Sequence, residues 1–226
     1  MVVASSWYSR NLVADVLTTR ANHFFDTYMS VKGQAQATQR TNLLKGTRDL
    51  ARRSLRLRAV DGDTLLLRGF AEYYLGRESL LQAKSAEKAG AEREKAFWES
   101  DARSNAQASL LSLRLALSEI RYHQVFHIQA EDYRLLGELT GNREYLEKAR
   151  ENLETTVGYS SAYAEGIISL VRLIESSFPE LRERRNALLS LLFHYNPDSF
   201  LMYFVVQGDK AVEDERYQDA IKVFRD

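Results

Sequence analysis

The chain has 226 residues, with 31 basic and 31 acidic side chains, 45% hydrophobic residues, two prolines and no cysteine. This balance excludes a disordered chain and a disulfide scaffold, and the lack of cysteine removes thiol nucleophiles, CxxC redox pairs and zinc knuckles. No apolar run approaches the roughly 18 residues that span a bilayer, and Met1–Trp7 is too short and uncharged for a signal peptide. The chain reads as water-soluble, with a cytoplasmic place favoured over an exported or lipid-anchored form whose leader is removed.

Proline occurs only at 179 and 197, in a chain rich in Ala, Leu, Glu, Arg and Gln, the residues that lose least entropy in a helix. The expected fold class is all-α. Apolar spacing predicts a long first helix over 6–31, carrying Leu12, Val16, Phe24, Phe25 and Tyr28 and ending at Lys32-Gly33, and a second over 41–58. Asp61-Gly62-Asp63 turns the chain, with Asp63 placed as a helix cap. Helix pairs then follow at 63–76 with 78–90, 91–104 with 106–126, 130–141 with 143–157, 161–176 with 179–194, and 198–213 with 215–226. Turns this short force antiparallel neighbours, giving about twelve helices in six hairpins.

Glycines recur near multiples of 34: Gly69 and Gly137 are 68 residues apart, Gly137 and Gly208 are 71 apart. Tyr133 precedes Gly137 by four, and Ala149 and Leu153 follow it by twelve and sixteen; Phe204, Ala220 and Phe224 hold the same offsets around Gly208. This pattern resembles the tetratricopeptide repeat (TPR), well over 130–157 and 201–226 and loosely around Gly69. Small residues at these positions let helix backbones approach, and large ones fill the groove between hairpins. The resemblance implies one helical-repeat domain over 1–226, with basic N-terminal helices to residue 60 and TPR-like hairpins over 61–226, stacked as a right-handed α-solenoid. A non-repetitive helical bundle is the alternative. The stop at Phe224-Arg225-Asp226, inside a repeat's second helix, points either to a fragment of a longer chain or to a last helix covered by a partner or a second copy.

In repeats of this type the first helices of successive hairpins line a concave groove that takes peptides or helices. By that register the groove would be lined by Leu66, Phe70, Tyr73 and Tyr74 from the early repeat, by Arg134, Glu138 and Asn142 from the middle one, and by Val205 and Asp209 from the late one. Tyr73 and Tyr74 are the natural anchors, since aromatic rings with a polar tip dominate binding hot spots; packing against the first helix is the competing role for them.

Charge is neutral in sum but uneven. Residues 1–60 hold ten basic and three acidic side chains, net +7, whereas residues 151–226 hold eight and thirteen, net −5. Lys45, Arg48, Arg52, Arg53 and Arg56 form a basic patch on the second helix, either a solvated face or a site for an acidic partner or the acidic end of another copy. Neither stacking aromatics nor a recognised motif accompanies it, so nucleic acid is not an expected partner. His123 and His127 are four apart, a spacing compatible with metal, but a hairpin turn expected near 127–130 would break the stripe. No HExxH, GxSxG, phosphate loop or EF-hand pattern occurs. The chain therefore reads as a non-enzymatic, cofactor-free protein–protein interaction scaffold, with a self-associating structural subunit, or a helical ligand or metal carrier, as alternatives.

Overall fold

A computed structural model describes residues 2–31, 37–58, 61–119 and 122–213. These form nine α-helices and one 3-10 turn, with no strand among the described residues. The chain divides into two compact units, Met1–Tyr145 and Leu146–Asp226.

In the first unit, α1 (Val2–Ser30), α2 (Ala37–Leu57), α3 (Gly62–Lys88), α4 (Glu92–Ala116) and α5 (His123–Thr140) follow one another. α1 lies against α2 through small residues. Ala14, Ala21 and Ala51 are fully buried, the Ser54 hydroxyl donates to the Ala14 carbonyl at 3.1 Å, and Gly46 leaves room for the Phe24 ring. α3 starts where Asp61 accepts the Thr64 N–H, so Asp61 rather than Asp63 is the cap. Arg58 also pairs with Asp61. Burial alone would push that carboxyl up, but Arg58 and the Thr64 donors outweigh it and hold the group below its ordinary value.

α3 and α4 form a long antiparallel hairpin joined at Gly90, whose φ of +70° suits a residue without a side chain. Its seam is small: Gly69, Gly76, Ser79, Ala83 and Ala86 on α3 meet a face of α4 carrying Ala102, Asn105, Ala106, Ser109, Ser112 and Ala116. The count of about twelve helices therefore needs correction. The expected break at Gly76 is a point of close approach, where an added Cβ would stand 3.3 Å from the Ala102 carbonyl oxygen. The break expected at 104–106 lies within α4, where buried Asn105 donates to the Asp101 carbonyl at 3.0 Å. No turn stands near 127–130: α4 ends at Ala116 with turn residues at 117–119, α5 starts at His123, and His127 falls inside α5.

The second unit takes over within α6 (Arg143–Tyr159) and continues through α7 (Ala164–Ser177), the 3-10 turn Pro179–Leu181, α8 (Arg182–Tyr195) and α9 (Pro197–Glu213). Pro179 and Pro197 each stand at the first position of their element, where a missing N–H costs nothing. The core is aliphatic: Ile167, Leu170, Val171, Leu173, Ile174, Leu188 and Leu192 are all buried. α9 is anchored by Tyr203, whose hydroxyl donates to Glu175 at 2.5 Å; burial and the Glu175 charge push that phenol upward. The expected 32–33 turn and the helix over 215–226, with Ala220 and Phe224, lie outside the described residues. Among the described residues no helix is long and apolar enough to cross a membrane.

Candidate functional site

The aromatic residues proposed from sequence as groove anchors come together, but inside the first unit. Tyr73 is 4% exposed. With Leu113, Val125 and Ile128 it forms a cluster against which Leu66, Phe70 and Tyr74 pack. Tyr74 reaches across to α1, with ring centroids 5.3 Å from Tyr28 and 5.9 Å from Phe25. Burial dominates at Tyr73 and pushes its hydroxyl upward, and Arg77 donates to it at 3.3 Å. A ring shielded in this way stabilises the unit and is not available to a partner in the folded state.

The remaining groove residues are scattered by burial. Arg134 is half-buried and donates to Glu131 at 2.6 Å, while Glu138 and Asn142 are exposed near the end of α5. Val205 is exposed on α9 of the second unit. The Asp209 side chain, like the burial of Gly208, lies outside the described residues. Gly137 is buried in α5, and Gly141 closes that helix at φ +66°.

The basic patch is partly consumed by local pairs. Arg48 donates to Asp49 at 3.2 Å, and Arg52 reaches Glu72 at 3.2 Å. Lys45, Arg53 and Arg56 remain exposed on α2. The second unit carries a different bare surface: α9 presents Leu201, 60% exposed, and Met202, 57% exposed, together with Val205 and Val206, while Phe193 is exposed at the end of α8. Seven consecutive apolar residues, Phe200–Val206, make α9 hydrophobic on all sides, a pattern typical of a helix covered on all sides.

A polar seam that the sequence reading missed lies at the junction of α3, α4 and α5. Glu72 has no exposed surface. Its Oε1 accepts from Arg52 at 3.2 Å and Arg68 at 3.0 Å, and its Oε2 accepts from Ser112 at 2.8 Å. Asp132 on α5 is equally buried, and neither of its oxygens finds a donor among the described residues. Ser109, the nearby hydroxyl that would favour its charged form, donates to the Gly69 carbonyl at 2.9 Å. The only sequence signal was a polar residue recurring inside a stripe of small ones: Glu72 between Gly69 and Gly76, and Ser109 and Ser112 after Ala106.

His123 and His127 sit one turn apart at the start of α5. His123 lies with its ring centroid 4.6 Å from Tyr122, and buried His127 places Nε2 3.9 Å from Glu131. Among the described residues no group of three or more His, Asp or Glu side chains is placed to hold a metal ion. No protein-family model matches the sequence, and comparison with curated proteins finds no significant match.

Proposed function

We propose that this chain is a non-enzymatic helical scaffold of TPR type that docks an acidic protein segment on the basic face of α2. The observation that carries the reading is the exposure of Lys45, Arg53 and Arg56 on one helix of a region with net charge +7. These three cations have no acidic partner among the described residues, whereas Arg48 and Arg52 do. Unpaired surface charge of one sign steers an oppositely charged partner and is screened by salt. The TPR-like register over 130–157 supports a repeat scaffold: Tyr133, Gly137, Ala149 and Leu153 are each buried.

The test is affinity capture at low and high salt with the wild type and a Lys45→Glu, Arg53→Glu, Arg56→Glu variant of unchanged helical content. A partner held at low salt by the wild type and lost by the variant supports the reading. A partner retained equally by both removes it.

The apolar face of α9 favours a second reading, a structural subunit that associates with copies of itself. Isolated exposed apolar residues are ordinary, but Leu201, Met202, Val205 and Val206 are all exposed on one helix, whose Phe200 ring lies 5.2 Å from that of exposed Phe193. The opposite net charges of residues 1–60 and 151–226 would add attraction between copies.

A further inference from the structure

Asp132 lies midway along α5, sealed from solvent among groups that give it no counter-charge. From α3 comes Glu72, whose own charge is already matched by Arg52 of α2 and by Arg68. From α4 come Ser109 and Ser112, whose hydroxyls go to the Gly69 carbonyl and to Glu72. On α5 itself, Glu131 binds Arg134 at 2.6 Å and stands 3.9 Å from His127 Nε2. Gln129, one turn earlier and also buried, has an Nε2 with no acceptor and does not reach Asp132. Arg77 of α3 and Arg114 of α4 donate to the hydroxyls of Tyr73 and Tyr133 at 3.3 and 2.5 Å, so among the described residues no cation bonds to Asp132, and the charges of Glu131 and Glu72 act on it instead.

An isolated carboxylate in such a place costs far more free energy than a neutral carboxyl, so the group takes up a proton instead of remaining charged. We propose that Asp132 makes the seating of α5 against α3 and α4 depend on pH, with the helix packed while this carboxyl is protonated and loosened when the proton leaves. Burial pushes the group well above its ordinary value; the nearby Ser109 hydroxyl offsets part of that push, and the Glu131 and Glu72 charges add to it. A carboxyl raised in this way binds more protons in the folded chain than in the unfolded one. Its contribution to stability is complete below the unfolded value near pH ~4 and is lost as pH rises toward the folded value. The direction is opposite to that of an ion-paired carboxylate such as Asp61, whose contribution disappears on acidification. The effect belongs to the interior of the first unit and does not depend on which partner the scaffold binds.

The experiment is amide hydrogen exchange of α5 from pH 5 to 8 on the full chain, corrected for the intrinsic pH dependence of exchange, with Asp132→Asn beside the wild type. Protection of α5 in the wild type is expected to fall by about tenfold or more across this range, and in the Asn variant by less than about twofold. Equal pH dependence in both overturns the proposal. Should the variant not fold, the carboxyl carbon resonance of Asp132 in the wild type decides. A midpoint near the ordinary ~4 overturns it, and a midpoint above ~6 that tracks the loss of α5 protection upholds it.

Discussion

Glu72 and Asp132 are both sealed carboxyl groups of the first unit, yet replacing them by their amides has opposite consequences. Glu72 accepts from two guanidinium groups and a hydroxyl, so its charge is compensated inside the seam. Replacing it by Gln keeps the shape but weakens two charge-assisted bonds, each worth roughly 1.5–3 kcal/mol. Part of that loss is recovered because Arg52 is well exposed and can turn to water. A net destabilisation of about 1–3 kcal/mol is expected for Glu72→Gln, read as a lower urea midpoint with an unchanged slope. Asp132→Asn replaces a carboxyl that stays buried only by holding a proton, and at pH 7 it should leave the midpoint unchanged or raise it. If both substitutions lower it equally, the two carboxylates do not differ as described.

At the scale of the helix, the glycines separate into kinds that the sequence does not distinguish by itself. Gly69 is a packing residue: an added Cβ would meet Leu113 Cδ2 at 2.6 Å and Cγ at 2.7 Å, and Leu113 is fully buried. Gly158, in the last turn of α6, has nothing within 4 Å and an ordinary φ. Alanine at 69 should therefore destabilise by about 1–3 kcal/mol through overpacking, even after its helix-propensity gain. Alanine at 158 should stabilise by up to about 1 kcal/mol. Thermal midpoints that shift in opposite directions check the assignment, and a shift of the same sign would refute it.

The same distinction explains how much of the fold was readable. The all-helical class followed from composition and apolar spacing. The turns at Gly90 and Gly141 were placed because a glycine coincided there with the end of the apolar pattern. Gly76 was misread as a third such turn. Yet the run of buried positions Gly69, Glu72, Gly76, Ser79, Ala83 and Ala86, small but for Glu72, continues through it without a change of phase. A glycine inside an unbroken stripe marks a close helix contact, and a glycine that ends one marks a cap. Tyr73 and Tyr74 lie with ring centroids 4.9 Å apart. Their burial depended on α1 and α5 arriving from distant parts of the chain, which no local pattern records. Glu72 and Asp132 were invisible for a related reason, since a polar residue is recognised as buried only once its neighbours are known.

For the molecule as a whole, the question is whether charge or apolar surface brings copies together. Residues 1–60 at +7 and 151–226 at −5 attract between molecules over roughly one screening length, about 10 Å at 0.1 M salt and about 3 Å at 1 M. The α9 patch acts only in contact and is strengthened, not weakened, by excluded salts. Leu201→Asp with Val205→Asp places charge on the exposed side of α9 and leaves the buried Tyr203 anchor to Glu175 intact, so the second unit should keep its helical content. If self-association operates, light scattering of the wild type at low salt gives a mass above that of the 25.9 kDa chain, and the double variant gives the monomer mass. Mass that persists in the wild type at 1 M salt assigns the contact to α9. Mass that collapses there assigns it to the charged ends. A wild type that is monomeric under both conditions eliminates self-association and leaves the proposed docking of an acidic segment on the basic face of α2 as the reading to test.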